Sequence, residues 1–209
     1  VREVQQKVQS YNDDELNHAF EIAINLNQPV HINAPFEEPL YNTLTENIIT
    51  PRIDAIKVGE VTQPNIEYHK NIWNIAVRKM ILVGVSTPCT VKDYILEHLA
   101  NDPSVLVLTE TTSNIHHPNF FNSIDSLIAP IEMHDNKIEQ FNQLQPDVLV
   151  TFGGLIVSKK VKAFLRKYKP EHHWHIGGQQ ANDTFFCLEE HIKVSVNTFF
   201  DKMYADSIV

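Results

Sequence analysis

The spacing of apolar positions changes near residue 67 and divides the chain. From Glu67 onward, short continuous apolar runs alternate with stretches of helical period. Ile81-Leu-Val-Gly84, Val105-Leu-Val-Leu108 and Asp147-Val-Leu-Val-Thr-Phe152 show no polar alternation, the mark of strands buried on both faces. His173-Trp-His-Ile176 and Ile192-Lys-Val-Ser-Val196 complete the set, so buried strands are predicted at 81–84, 105–108, 148–152, 173–176 and 192–196. Between them, Ile72, Ile75, Ala76 and Met80 suggest a leading helix. Thr90 is placed to cap a helix carrying Val91, Tyr94, Ile95 and Leu99, and a helical stretch runs near Ile138 to Leu144. Ser158 caps a basic helix with Val161, Phe164, Leu165 and Tyr168 on its inner face. Strands alternating with helices across short loops predict an α/β, doubly wound parallel sheet over roughly Lys79 to Val196, in the order 3-2-1-4-5-6.

The first part of the chain reads differently. Asn12-Asp-Asp-Glu15 resembles a capping box, Leu16, Ala19, Phe20 and Ala23 follow at helical spacing, and Pro29 closes the helix. Val30-His-Ile-Asn-Ala34 alternates as a strand does. One helix and one strand make no core of their own, so residues 1–41 read as the last piece of a domain. The apolar helix stripe and the unpaired strand edge predict self-association, a homo-oligomer. Residues 42–66, with Pro51 and Pro64, read as a linker, and 67–209 as the α/β domain. The chain does not start with methionine, which reads as a fragment or processed product.

Charge narrows the function. The 17 Lys+Arg against 26 Asp+Glu give −9, a poor balance for a nucleic-acid partner. Six of the basic residues lie in Ser158–Lys169, so one basic helix sits on an acidic body, which suggests a local anionic ligand. No apolar run approaches the ~20 residues of a membrane span. Two cysteines, Cys89 and Cys187, make no disulfide framework, and a cytoplasmic location is expected.

Neither G-x-G-x-x-G nor the P-loop is present, so this is a Rossmann-like sheet without a dinucleotide fingerprint. Five of six glycines (Gly84, Gly153, Gly154, Gly177, Gly178) fall at carboxyl ends of predicted strands, the ligand edge of open α/β sheets. Glycine there admits a ligand or another backbone. His172, His173 and His175 surround Trp174, with His173 and His175 on one strand face, and His116-His117 stands in a loop; neither group has the ligand spacing of a metal site. Cys89 is read as an ordinary buried cysteine. The residues placed to bind an anion are Ser113, Asn114, Ser158, Lys159 and Lys160, because a lysine beside a capped helix N-terminus favours carboxylate or phosphate.

Three stretches carry a resemblance. Pro29-Val-His-Ile-Asn-Ala-Pro-Phe-Glu-Glu-Pro-Leu40 resembles the strand closing the pyrimidine-binding domain of thiamine-diphosphate enzymes. Asp147-Val-Leu-Val-Thr-Phe-Gly-Gly-Leu-Ile-Val-Ser-Lys-Lys160 and His173-Trp-His-Ile176 resemble segments of one family among them, the menaquinone-pathway 2-succinyl-5-enolpyruvyl-6-hydroxy-3-cyclohexene-1-carboxylate synthases. The resemblance implies a six-stranded central domain, preceded by the tail of the pyrimidine domain. It implies a transferase with thiamine diphosphate and Mg2+ or Mn2+ that decarboxylates 2-oxoglutarate and adds the succinyl carbanion to isochorismate. The cofactor-activating glutamate and the G-D-G motif lie outside this chain, so the chain alone is expected to hold no cofactor, no metal and no catalytic residue. The resemblance puts a substrate-carboxylate contact on Lys159, with Lys160 a weaker neighbour, and Glu37 stands where the family has arginine. Two alternatives stay open: a regulatory module for an anionic metabolite, or the central domain of another thiamine-diphosphate enzyme, such as the FAD-carrying acetolactate-synthase group.

Overall fold

Five short strands, the central two wholly buried, form one parallel sheet in a computed structural model, which describes residues 8–25, 28–35, 45–46, 49–55, 64–178 and 180–205. The chain divides into two units, Val1–Glu60 and Val61–Val209.

In the first unit, α1 spans Gln9–Asn25, so Asn12 lies inside the helix and does not start it. Leu16, Ala19 and Ala23 are half-buried, while Phe20 and Ile24 are 48% and 56% exposed. The strand expected at 30–34 does not form: among the described residues these positions are exposed and join no ladder of the sheet. Part of the expected linker docks on α1. Arg52 pairs with Asp14 and Asp54, and Asn17 bridges the carbonyls of Asp13 and Arg52 at 2.8 and 2.9 Å.

The second unit starts with α2 (Ile66–Ile75), capped by the Asn65 side chain. Its inner residues are His69 and Trp73; Ile75 of the expected stripe faces solvent. Then follow β1 (Lys79–Val83), α3 (Asp93–Asn101), β2 (Val105–Leu108), α4 (Ile124–Met133), α5 (Lys137–Leu144), β3 (Val148–Phe152), α6 (Lys159–Lys167), β4 (His172–Ile176), β5 (Glu190–Ile192) and α7 (Val196–Met203). Lys92 occupies the N-cap position of α3, and the Thr90 hydroxyl turns back to the Thr87 carbonyl instead. Helix α4 contains Pro130, which hides it from a periodicity search.

The strand order is β2-β1-β3-β4-β5. Among the described residues the sheet therefore has five strands and not six. Its order is the expected one with the third strand removed. What stands in that place is a one-residue parallel bridge from Phe121 to Leu108, in which Phe121 donates to the Val107 carbonyl and accepts from Thr109, both at 2.9 Å. Polar residues and Pro118 around it leave no run that could extend the bridge. Strand β5 ends earlier than expected, because Ser195 caps α7 and draws Val196 into that helix.

Alternation along the strands sorts the core into two layers. Ile81, Val83, Val107, Val148, Val150, Phe152, Trp174 and Ile176 face α2, α3 and α7. Met80, Leu82, Leu108 and Leu149 face α4, α5 and α6, where Phe141, Phe164 and Tyr168 pack ring on ring. On this second face Leu149 and Thr151 pair in register with His173 and His175, so the apolar layer gives way to polar residues toward the carboxyl edge of β4.

Candidate functional site

The strand order reverses between β1 and β3, and the loops after these strands define the crevice where open α/β sheets take ligands. Here the two loops close on each other. Gly84 donates to the Phe152 carbonyl at 2.9 Å, Val85 to Leu155 at 3.2 Å, and Gly154 to Val85 at 2.7 Å. A Cβ on Gly84 would stand 2.1 Å from the Gly154 oxygen, and Gly153 has φ +82°. Ser86 donates to the Thr112 carbonyl at 3.1 Å. The amides of Gly84, Val85, Ser86 and Gly154 are thus spent within the protein, and these glycines serve backbone approach.

The loop after β2 ties this crevice down. Ser113 is buried; its hydroxyl donates to the Val83 carbonyl at 2.7 Å and accepts from the Glu110 amide at 2.9 Å. Asn114, at φ 52°, donates from its side chain to the Ser86 carbonyl at 2.7 Å. Both residues therefore hold loops together. Glu110 continues to the start of α6, where its carboxylate accepts from the Val157 amide at 2.8 Å and the Ser158 amide at 2.6 Å. The Ser158 hydroxyl accepts from Val161 at 3.2 Å, the cap read from sequence, and donates to Asp125 at 2.5 Å. Lys160 forms an ion pair with Glu132.

Lys159 is different. It is exposed and, among the described residues, makes no hydrogen bond or ion pair. Glu110 occupies the Val157 and Ser158 amides and Asp125 the Ser158 hydroxyl, and the ammonium of Lys159 stands beside them, open to an incoming anion. Of the five sequence-selected residues, the structure gathers Ser158, Lys159 and Lys160 at one helix start. Ser113 and Asn114 belong to the neighbouring loop, connected through Glu110.

The second polar region lies along the carboxyl half of β4 and β5. Thr151 Oγ1 sits 3.0 Å from both His173 Nε2 and His175 Nδ1. Burial disfavours the charged imidazole and lowers both histidines to about 4, helped by repulsion from His175 at His173 and from His191 at His175. His173 also reaches Cys187 Sγ at 3.9 Å, and burial pushes that thiol up to about 11, far from a reactive thiolate. On the opposite face, Glu189 joins Tyr68 at 2.8 Å and His172 at 2.7 Å. Cys89 is exposed, not buried: it sits in a turn at φ 59°, before α3 begins. Away from this edge, at the amino end of β1, a cleft of about 640 Å³ is lined by Trp73, Lys79, His98, Asp102 and Tyr204.

Glu110, Asp125, Thr151 and His191 escape a sequence reading because their partners are distant in the chain. Glu110 lies 48 residues from Ser158, and no motif spans that gap. Among the described residues there is no group of three His, Cys, Asp or Glu that could hold a metal. With the edge amides also spent, these residues do not fit thiamine diphosphate and its dication.

Fold and site together define a doubly wound parallel α/β domain whose switch-point crevice is sealed by backbone and whose α6 start carries one free lysine. Comparison with known proteins makes this specific: the chain resembles 2-succinyl-5-enolpyruvyl-6-hydroxy-3-cyclohexene-1-carboxylate synthases. It is 50% identical over 192 residues to that of Christiangramia forsetii, covering 91% of this chain and 33% of that protein. It is 50% identical over 195 residues to that of Flavobacterium johnsoniae (92% and 34%) and 30% identical over 193 residues to that of Porphyromonas gingivalis (88% and 31%). The chain spans about a third of the length of the curated relatives it matches. No family model matches it. Among solved structures, an exopolyphosphatase-related protein from Bacteroides fragilis aligns over 68% of this chain and 43% of its own at 13% identity and TM-score 0.37, too low to inform function. No helix among the described residues is long and apolar enough to cross a membrane.

Proposed function

We propose that this chain is the central part of a longer thiamine-diphosphate-dependent synthase that decarboxylates 2-oxoglutarate and adds the succinyl carbanion to isochorismate in menaquinone biosynthesis. The observation that carries the reading is the 50% identity over nine tenths of the chain with synthases of that name, which are three times as long. When bound, thiamine diphosphate with Mg2+ or Mn2+ supplies the carbanion chemistry, and the rest of the longer protein holds it. This chain contributes Lys159, whose free ammonium meets a carboxylate of one of the two acidic substrates. Ser158 and Glu110 fix the turn from which Lys159 projects, and Lys160 stays with Glu132. Residues 1–41 are then the tail of the pyrimidine-binding domain, and assembly into a cytoplasmic homo-oligomer belongs to the same reading.

The test is to express the complete reading frame that contains this sequence. The proposal expects a G-D-G motif downstream and 2-oxoglutarate-dependent release of carbon dioxide that requires thiamine diphosphate, the dication and isochorismate. A complete frame lacking both the motif and the activity would refute it.

A further inference from the structure

We infer that His175 and His191 form a two-histidine site for a borderline transition-metal dication, Zn2+, Ni2+ or Cu2+, at the carboxyl edge of β4 and β5. This inference is independent of the synthase reading. The two residues are register partners on adjacent parallel strands, so their side chains leave the same face of the sheet. Their ring centroids are 5.6 Å apart, tilted by 56°. Two imidazoles sharing one metal at a bond length of about 2.0–2.1 Å in tetrahedral geometry have centroids roughly 5–5.5 Å apart. The observed centroid spacing is close to that value.

Each ring is held by a hydrogen bond at one nitrogen, leaving the other for a ligand. His191 Nε2 lies 2.8 Å from the Gly177 carbonyl. A carbonyl only accepts, so Nε2 carries the proton and Nδ1 keeps a lone pair. His175 Nδ1 lies 3.0 Å from the Thr151 hydroxyl, which also lies 3.0 Å from His173 Nε2. When His175 donates to Thr151 and Thr151 donates on to His173, the free nitrogen of His175 is Nε2. That nitrogen stands 3.8 Å from where a side chain on Gly177 would begin, so glycine keeps its surroundings open. Imidazoles that bind metals are oriented in this way, by a carbonyl or hydroxyl on the opposite nitrogen. Both residues are half-buried, open enough for an ion and for the waters that complete its coordination. Imidazole nitrogen selects Zn2+, Ni2+ and Cu2+ over Mg2+ and Ca2+, which prefer oxygen.

The experiment titrates the full 209-residue chain with Cu2+ by calorimetry near neutral pH and examines the loaded protein by pulsed electron paramagnetic resonance. One equivalent bound with two coordinated imidazoles is expected. His175→Ala and His191→Ala should each lower the affinity at least tenfold, while His98→Ala, which alters a distant histidine, should leave it unchanged. Circular dichroism of each variant reports whether the sheet is retained. Because the count of imidazoles is made on the unmodified chain, the inference stands or falls even if a variant does not fold. A single coordinated imidazole, no binding, or full affinity in both folded variants overturns it.

Discussion

The two ends of one sheet edge are built on opposite principles. Between β1 and β3, glycines bring loop backbones together until their amides bond only to each other. Between β4 and β5, where β5 has only three residues and Gly177 and Gly178 follow β4, the space holds imidazoles and a hydroxyl instead. A sheet edge is thus not a ligand site by topology alone. Here the backbone bonds close the β1–β3 end, and that leaves β4–β5 and the start of α6 as the chemically open parts.

Acid should separate the two ends most. His173 and His175 ordinarily titrate near 6.5 and are lowered to about 4 in the folded chain. Between those values the unfolded chain binds more protons, so stability is full above about pH 6.5 and is lost as pH falls toward 4. At about 1.4 kcal/mol per unit, lowering two groups by about 2.5 each gives at most about 7 kcal/mol, and less because the repulsion between the two groups is shared. Urea unfolding across this range measures the slope, which should fall by about half in His175→Asn. An unchanged slope would mean that this end is not the acid-sensitive one.

Next comes Gly84→Ala, which forces a Cβ against the Gly154 oxygen. It should cost about 3 kcal/mol, since backbone on both sides cannot give way. Gly178→Ala meets nothing within 4 Å and should stay within about 0.5 kcal/mol. Shifts in the urea midpoint decide, and equal shifts would end the distinction between the two edges. Glu110→Ala leaves the Val157 and Ser158 amides without their carboxylate and should cost about 1–2 kcal/mol in the same assay. Lys159→Ala, removing a side chain with no partner among the described residues, should be near zero.

Much of this architecture is legible in the sequence because buried parallel strands are continuous apolar runs. Lys79–Val83, Val105–Leu108 and Val148–Phe152 announce themselves that way. The Ser158 cap is local and equally readable. What is not readable depends on partners. Residues 30–34 have strand alternation but join no ladder among the described residues, and Val196 is a β-branched residue that the Ser195 cap draws into a helix. The expected third strand shrinks to the Phe121 bridge because its neighbours cannot sustain pairing. At the site, Lys159 is marked by its position after a cap. Glu110, from the loop after β2, and Asp125, from the first turn of α4, occupy that cap and leave no local trace.

The central claim, that this chain brings a substrate-binding lysine to a synthase, is tested most directly by steady-state kinetics of the complete enzyme carrying Lys159→Ala, with Lys162→Ala as its neighbour on the same helix. Loss of a charge-assisted contact of about 1.5–3 kcal/mol corresponds to roughly 10- to 150-fold in kcat/KM. The account predicts a fall of at least about tenfold for one of the two acidic substrates with Lys159→Ala and near-parental values with Lys162→Ala. Equal activity of the two variants would contradict it.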